Sequence, residues 1–582
     1  MSEGAGQSES AVKVGGARRR PSGVAAVVCL AAALWASSAA AQEVEEAEER
    51  EITFTVDEVE EDGQPLVSAE IGLAAGQRPE VRGDDPDRYV LKPPSEELSF
   101  VGVFFARGTA TNIAITNPLR TGLVVGRLFG SNESTTVDER SYYAEQRLIG
   151  FLTYAPKLLN QRARLRAAFE VDFIYGDASN GAGANVGGAI NGDQVNLQTK
   201  RLAVEVGLLD DWYAVIGLQA LTDNVHDPHY ADPYIMLHSG YHLAFWGTDA
   251  AGAAVYGKAG GWLKVKAAAY SLWENVPHED DDVWLAQLDV STRPGGDWWV
   301  GASAWYLSEK SNGRSGFGLR SQVAQANGAG VLLQEDFDYD YTADITWLGV
   351  NVQRNVWFKT DRLALDGFAI MNIGSIEKRD PETGRVLQEA DVMGYAALGE
   401  VAYRFGRTRN DVASLEVMTS SGDFDLDDAR YGTVATGQLY GVPGAAFGSP
   451  RLLLLMPDLR VVNRQVAAVG DLSNGGYGLM AGVANLQYDL IANRLTGKLG
   501  MGSAFSAVDV PSTGARYIGT EMNAELYVAL DSLLIVGFHG GYLFLGDFYD
   551  SPEVVFTPDG EVFGGRPEDP WVAYASLTWV AF

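Results

Sequence analysis

Apolar and polar residues alternate along most of this chain, and the alternation is the period of a strand. The clearest stretch runs from Arg162 to Tyr175. Its even positions are Arg162, Arg164, Arg166, Ala168, Glu170 and Asp172, and its odd positions run from Ala163 and Leu165 through Phe169 to Tyr175. One face is apolar and the other densely charged, a lipid-out and lumen-in pattern expected of a transmembrane β-barrel. The same pattern sets Leu202, Val204, Val206 and Leu208 against Arg201, Ala203 and Glu205, and Leu263 and Val265 against Lys264 and Lys266. It sets Val401, Tyr403 and Phe405 against Glu400 and Arg404, and Leu495, Leu499 and Met501 against Arg494, Thr496 and Lys498. It predicts Ile518, Met522, Leu526 and Val528 on the face opposite Glu521, Asn523 and Glu525. Such segments recur from Leu98 to Phe582 and predict an all-β antiparallel barrel of roughly 18 strands.

The last segment, Pro570 to Phe582, reads PWVAYASLTWVAF and carries no charge. It is predicted to be the closing strand, with a terminal Phe582 of the kind the barrel-assembly machinery reads. Both its faces are nearly apolar, so the lumen wall beside it is expected to be greasy or covered by a loop. The charged pathway is then expected opposite, along the Arg162 strand. Connections come in two lengths: short ones such as Leu209-Asp210-Asp211 and Leu530-Asp531-Ser532, and long ones over 177–193, 308–338 and 420–476. The long ones are expected to be extracellular. The apolar piece Arg451–Met456 in the longest leaves two readings open, inward folding that narrows a pore or packing on a neighbouring loop or lipid.

Residues 1–41 read as a cleavable secretory signal, with Arg18–Arg20, an apolar run from Val24 to Trp35, and Ala39–Ala41 before Gln42. The apolar run is shorter than the ~20 residues of a spanning helix. Residues 42–97, acidic and then proline-rich, read as a partly disordered periplasmic arm, and 98–582 as the barrel. The only cysteine, Cys29, falls in the signal, which leaves the exported chain without disulfides or Cys-ligated metal. The full chain carries −32. Residues 1–41 hold Lys13 and Arg18–Arg20 against Glu3 and Glu9, a net +2, so the exported part carries about −34. This acidity excludes nucleic acid as a natural partner. It suits outer-membrane lipid, with lipopolysaccharide bridged to acidic loops through divalent ions.

Candidate chemistry is sparse. His238 and His242 lie in an apparently extended stretch, 234–246, where a spacing of four does not make a metal site. His226 with His229, and His278 with Asp280–Asp282, read as solvated loops. A lipid-hydrolysing barrel would need a Ser and a His together, and Ser473 with His539 or His238 is the candidate pair. No phosphate loop or dinucleotide fingerprint occurs in a strand-to-helix setting. No enzyme activity, cofactor or metal is expected.

Three stretches carry a family resemblance: Phe169–Asp172 running into Tyr175-Gly-Asp177, Ser421-Gly-Asp423 with Asp425, Asp427 and Asp428, and Ile518–Leu526 followed by Gly541–Phe548. They resemble the alginate-export family of outer-membrane porins. The resemblance implies a monomeric 18-stranded channel with a basic constriction for uronate polymers, working with polysaccharide-secretion components. The basic lumen candidates are Arg162, Arg164, Arg166, Arg201, Lys264, Lys266, Arg404, Arg494 and Lys498. Acidic residues share those faces: Glu170, Asp172, Glu205, Asp289, Asp344, Glu400, Glu521 and Glu525. Two roles stay open for these charges, lining a solute path or pairing into ladders that brace the wall. The function expected is a porin-like channel for hydrophilic, anionic solutes, with export of an acidic polysaccharide within its range. A non-conducting structural or adhesive barrel and a lipid hydrolase are the alternatives.

Overall fold

The computed structural model describes residues 97–581 except 116–123, 128–132, 158–161, 176–195, 210–211, 224–239, 243–245, 275–281, 296, 312–340, 357, 359, 381–382, 409, 424–428, 436, 439–450, 457–467, 470–471, 510–513, 532, 551–554, 557–561 and 564–567. The signal segment, the acidic arm up to residue 96 and Phe582 lie outside the described residues.

Among the described residues, 18 antiparallel strands close into one barrel. In chain order they are β1 (Leu98–Ile115), β2 (Glu133–Tyr154), β3 (Ala163–Tyr175), β4 (Asn196–Leu209), β5 (Trp212–Thr222) and β6 (Trp246–Ala259). Then come β7 (Leu263–Trp273), β8 (Val283–Gly295), β9 (Trp298–Glu309), β10 (Tyr341–Arg354), β11 (Leu363–Arg379) and β12 (Val386–Arg404). The last are β13 (Val412–Ser420), β14 (Met480–Ile491), β15 (Leu495–Phe505), β16 (Tyr517–Asp531), β17 (Leu534–Leu545) and β18 (Trp571–Ala581). Each pairs with its chain neighbours, and β1 closes the ring on β18 with Gly102 opposite Ala581 and Thr111 opposite Val572. Closure leaves no sheet edge, so every strand's backbone can be satisfied inside a lipid bilayer. No helix among the described residues is long and apolar enough to cross a membrane.

The alternation read from sequence is the inside–outside code of this wall. Leu202, Val204, Leu288, Val350, Leu415, Leu499, Met501 and Met522 are exposed on the outer surface, while Arg201, Glu205, Lys264, Lys266, Glu400, Lys498 and Glu525 are buried within. Exposed aromatics flank the outer apolar band: Tyr154, Trp262, Trp298, Tyr488 and Trp579 at the end with short connections, Trp284, Tyr542 and Phe544 at the other. Two such girdles are what a membrane-spanning barrel presents to the interfaces.

The connections at the two ends differ in length. β14 and β15 are joined by residues 492–494 and β6 and β7 by 260–262, whereas 421–479 separate β13 from β14 and 310–340 separate β9 from β10. Ser308, expected to open the latter connection, is still in β9.

Three details of the pattern come out differently. Ile518 points inward with Glu521 and not outward with Met522, because the register against β15 slips between Ala504 and Phe505 and reverses the parity there. Asp344 is on the outer face of β10 near its start, beside Tyr306, not in the lumen. On β18 the inward set is Val572, Tyr574 and Ser576, and the greasy set of Ala573, Ala575 and Trp579 faces out. The wall at the seam is therefore polar.

Candidate functional site: the lumen and its inserted segments

Many of the predicted lumen charges are ion-paired across adjacent strands. Arg107 on β1 meets Glu145 on β2 at 2.6 Å, Arg147 on β2 meets Glu170 on β3 at 3.0 Å, and Arg166 on β3 meets Glu205 on β4 at 2.8 Å. On the other side of the seam Lys498 of β15 meets Glu525 of β16 at 2.8 Å. Glu525 also takes a hydrogen bond from the Tyr527 hydroxyl and bonds to His539 Nδ1 on β17. His539 reaches Ser576 on β18 through Nε2 at 3.0 Å and stacks on Tyr574 at 4.1 Å, with the Arg107 guanidinium 4.8 Å over the same Tyr574 ring. Charge and polarity thus run continuously from β15 through the seam to β4. A pathway confined to the side facing the seam is not what the wall shows. The reason is local: β18's charge-free sequence still puts Tyr574 and Ser576 inward.

A basic arc follows on β4 and β7. Arg201, Lys264 and Lys266 are buried on the inner face. Lys264 Nζ lies 4.2 Å from the Trp299 ring centre and Lys266 Nζ 5.6 Å from that of Tyr256, so aromatic faces hold both ammonium groups. Arg164 is buried on β3, with Glu205 opposite it in register. Arg404 is half-buried at the end of β12, 5.8 Å from the Phe358 ring. Two candidates fall off the wall. Arg162 and Arg494 lie just outside β3 and β15, exposed, in short connections. The side chain of Asp172 lies outside the described residues.

The wall of β11, β12 and β13 has a different chemistry. Asp366 is directly opposite Glu400, and Glu400 directly opposite Glu416. All three carboxylates are buried and face inward. Like charges opposite one another on adjacent strands repel, and burial removes the water that would screen them. Their partners come from chain inserted into the barrel. Arg451 sends Nη1 to Glu416 at 3.1 Å, Nη2 to Glu400 and Nε to the Ser414 hydroxyl at 2.8 Å. His242 Nε2 lies 2.8 Å from Asp366. Described residues 240–242 form a turn, with His242 at φ 58°, and not the extended stretch expected there.

Arg451 begins the apolar piece whose position the sequence left open, and it folds inward. Glu521, on the inner face of β16, accepts hydrogen bonds from the backbone N–H groups of Leu453 (2.7 Å), Leu454 (2.9 Å) and Leu455 (2.6 Å). Asn523 holds the Arg451 carbonyl at 2.8 Å. Glycines on the inner wall leave the room: a Cβ at Gly500 would lie 2.4 Å from the Arg451 carbonyl oxygen, and one at Gly502 would lie 2.8 Å from a Leu452 methyl. A second inserted segment, Tyr431–Ala435, packs against β12, where a Cβ at Gly394 would lie 2.2 Å from the Thr433 carbonyl oxygen. Its Ala435 carbonyl accepts from Trp347 Nε1 at 3.0 Å.

These segments build an apolar tier toward the end with the longer connections. Leu452–Met456, Val434, Leu472 and Leu479 join Trp246, Trp305 and Trp347 in one buried cluster, with Trp246 and Trp347 in edge contact at 5.4 Å. Ser473, the hydroxyl considered for hydrolysis, is fully buried beside Leu472, and the histidine paired with a serine is His539 with Ser576. That places the Ser473 hydroxyl away from any outer surface. No group of His, Cys, Asp and Glu arranged to hold a metal occurs among the described residues.

What sequence reasoning missed is the acid row and its clamps. It singled out Glu400 and the apolar piece, but not Asp366, Glu416, Arg451 or His242 as partners. Each contact spans a wide sequence separation, and the row exists only through inter-strand register. Gly500 and Gly502 on the inner face, within a strand, were the available signal.

No family model matches the chain, and no curated protein matches it in sequence. Among solved structures it is similar to OccK5 (OpdH) of Pseudomonas aeruginosa, at 11% identity over 83% of this chain and 98% of that one, TM-score 0.39. It is similar to OccAB4 of Acinetobacter baumannii at 11% identity over 84% and 100%, TM-score 0.39, and to Pseudomonas aeruginosa OpdQ at 9% over 83% and 97%, TM-score 0.41. At so low an overlap the fold rests on this chain's own geometry. A closed ring of 18 antiparallel strands, apolar outside and charged inside, has the build of an outer-membrane porin barrel.

Proposed function

We propose that the protein is an outer-membrane channel of porin type for hydrophilic solutes, its aperture set by the inserted segments. The observation that supports it most directly is the wall: apolar outward, lined inward by charged and aromatic side chains, and closed at the seam. A barrel of this kind provides a polar route across lipid. Its surroundings in this reading are outer-membrane lipid and lipopolysaccharide. The assembly machinery would engage β18, and polysaccharide-secretion components would act at its ends.

Anionic solutes are the preferred class. Arg201, Lys264 and Lys266 form a basic arc on β4 and β7, whereas the carboxylates of the acid row are engaged by Arg451 and His242. An acidic polysaccharide such as alginate is the largest solute this reading covers, and it would require the inserted segments to yield. Planar-bilayer recording of the refolded protein tests the channel itself. Discrete conductance steps are expected, and a silent barrel would favour a structural role. Joint replacement of Arg201, Lys264 and Lys266 by Gln is expected to shift the reversal potential toward cation selectivity. Block by uronate oligomers, lost in that triple variant, would extend the reading to the polymer.

A further inference from the structure

Arg451 occupies its place on the inner wall as a ligand occupies a receptor. Its three guanidinium nitrogens each meet a different acceptor: Ser414 Oγ, Glu416 Oε2 and Glu400 Oε1. The acceptors come from two adjacent wall strands, and Glu400 and Glu416 are directly opposite in register. Both carboxylates and the hydroxyl are more than nine-tenths buried. Glu416 Oε1 is buried without a hydrogen-bond partner among the described residues, so the receptor has acceptor capacity that Arg451 does not use. The acceptor pattern suits a planar, multi-donor cation better than a point charge. The occupant belongs to an inserted segment, not to the wall, so the two can separate without unfolding the barrel.

We propose that Glu400, Glu416 and Ser414 form a guanidinium-binding site on the barrel's inner face, filled here by the chain's own Arg451 acting as an internal ligand. A solute carrying a guanidinium group competes with Arg451 for the site and, in binding, releases the start of the 451–456 segment. The site's other titratable and charged neighbours are Asp366, directly opposite Glu400 and engaged with His242, and Arg404 farther along β12. The competing group must therefore be a cation that satisfies both carboxylates at once.

The test is chemical complementation of Arg451→Ala, with the full exported chain refolded in detergent. Methylguanidinium at millimolar concentration is expected to raise the Tm of R451A by roughly 2–4 °C, while tetramethylammonium does not. The unsubstituted protein should need at least about tenfold more methylguanidinium for the same shift, because Arg451 fills the site. Glu416→Gln in the R451A background should abolish the shift. Equal responses of R451A and the parent, equal effects of the two cations, or a shift that survives E416Q would each overturn the proposal. If R451A refolds poorly alone, refolding yield becomes the readout. A rise with methylguanidinium and not tetramethylammonium supports the site, and no difference between them rejects it. Neither measurement requires ion conduction, so a failure here is distinct from a failure of the channel reading.

Discussion

The arc from β15 through the seam to β4 and the wall of β11–β13 are both lined by buried charges, but they balance them differently. In the seam arc four acids have a cation on the adjacent strand, Lys498 with Glu525, Arg107 with Glu145, Arg147 with Glu170 and Arg166 with Glu205, while Glu521 instead holds inserted backbone. These pairs belong to the wall and brace it. On β11–β13 the wall supplies three carboxylates side by side, and the groups that engage them, Arg451 and His242, come from inserted chain. A ladder closed within the wall stabilises the barrel. A ladder left acidic positions whatever carries the missing cation, and so sets what fills the lumen.

That contrast can be broken at its strongest point on the seam side. Lys498→Met leaves Glu525 buried with His539 and Tyr527 as its partners among the described residues. Breaking a buried pair on one side costs about 3–5 kcal/mol, so the denaturant midpoint in detergent should fall clearly while single-channel conductance stays near the parent value. A large conductance change would mean that this pair is part of the aperture.

Glu521→Ala acts on the other mechanism. It strips the acceptor from three buried backbone donors, at about 1–3 kcal/mol for a group left unsatisfied, and frees the Leu453–Leu455 backbone. Conductance is expected to rise severalfold, with a smaller loss of barrel stability than in Lys498→Met. Unchanged conductance would show that the segment does not limit flow. Gly502→Val is a gentler form of the same test, since its side chain takes the space of Leu452. A partial conductance increase with a nearly unchanged midpoint is expected.

The smallest effect belongs to a connection at the short-loop end. Burial pushes the Asp411 carboxyl upward, but hydrogen bonds from the backbone N–H groups of Thr408, Asp489 and Arg407 outweigh it and hold its pKa below the ordinary value. A carboxyl depressed on folding contributes stability above its unfolded pKa and loses it as pH falls through the folded one. The stability gap between the parent and Asp411→Ala should therefore be widest near neutrality and close in acid below the ordinary carboxylate range. A pH-independent gap would assign Asp411 a packing role only.

Much of the fold was legible because a strand's side chains alternate with a period of two. Arg164 against Leu165, Lys264 against Val265 and Lys498 against Leu499 face as their alternation predicts, and the strand number follows from how often the pattern recurs. The exceptions are where parity is broken or the strand has ended. Ile518 turned inward at a register slip, and Arg162 and Arg494 continue the alternation on paper but lie just beyond the strand ends.

The candidate site was legible only in part. The chain alone marked Glu400 and Glu521 as inward and Arg451–Met456 as an apolar oddity in a long connection. It could not join them, because period-two patterning gives each residue a side of the wall but no height relative to a neighbouring strand. Register across the sheet put Asp366, Glu400 and Glu416 in one row. That row, with repulsion to relieve, meets His242 and Arg451 from inserted chain. The sequence by itself determined which way each strand faces and that the ring must close to satisfy its backbone in lipid. Only the tertiary structure decided which inward charges brace the wall and which hold the lumen's contents, because pairing energy depends on distances that inter-strand register creates.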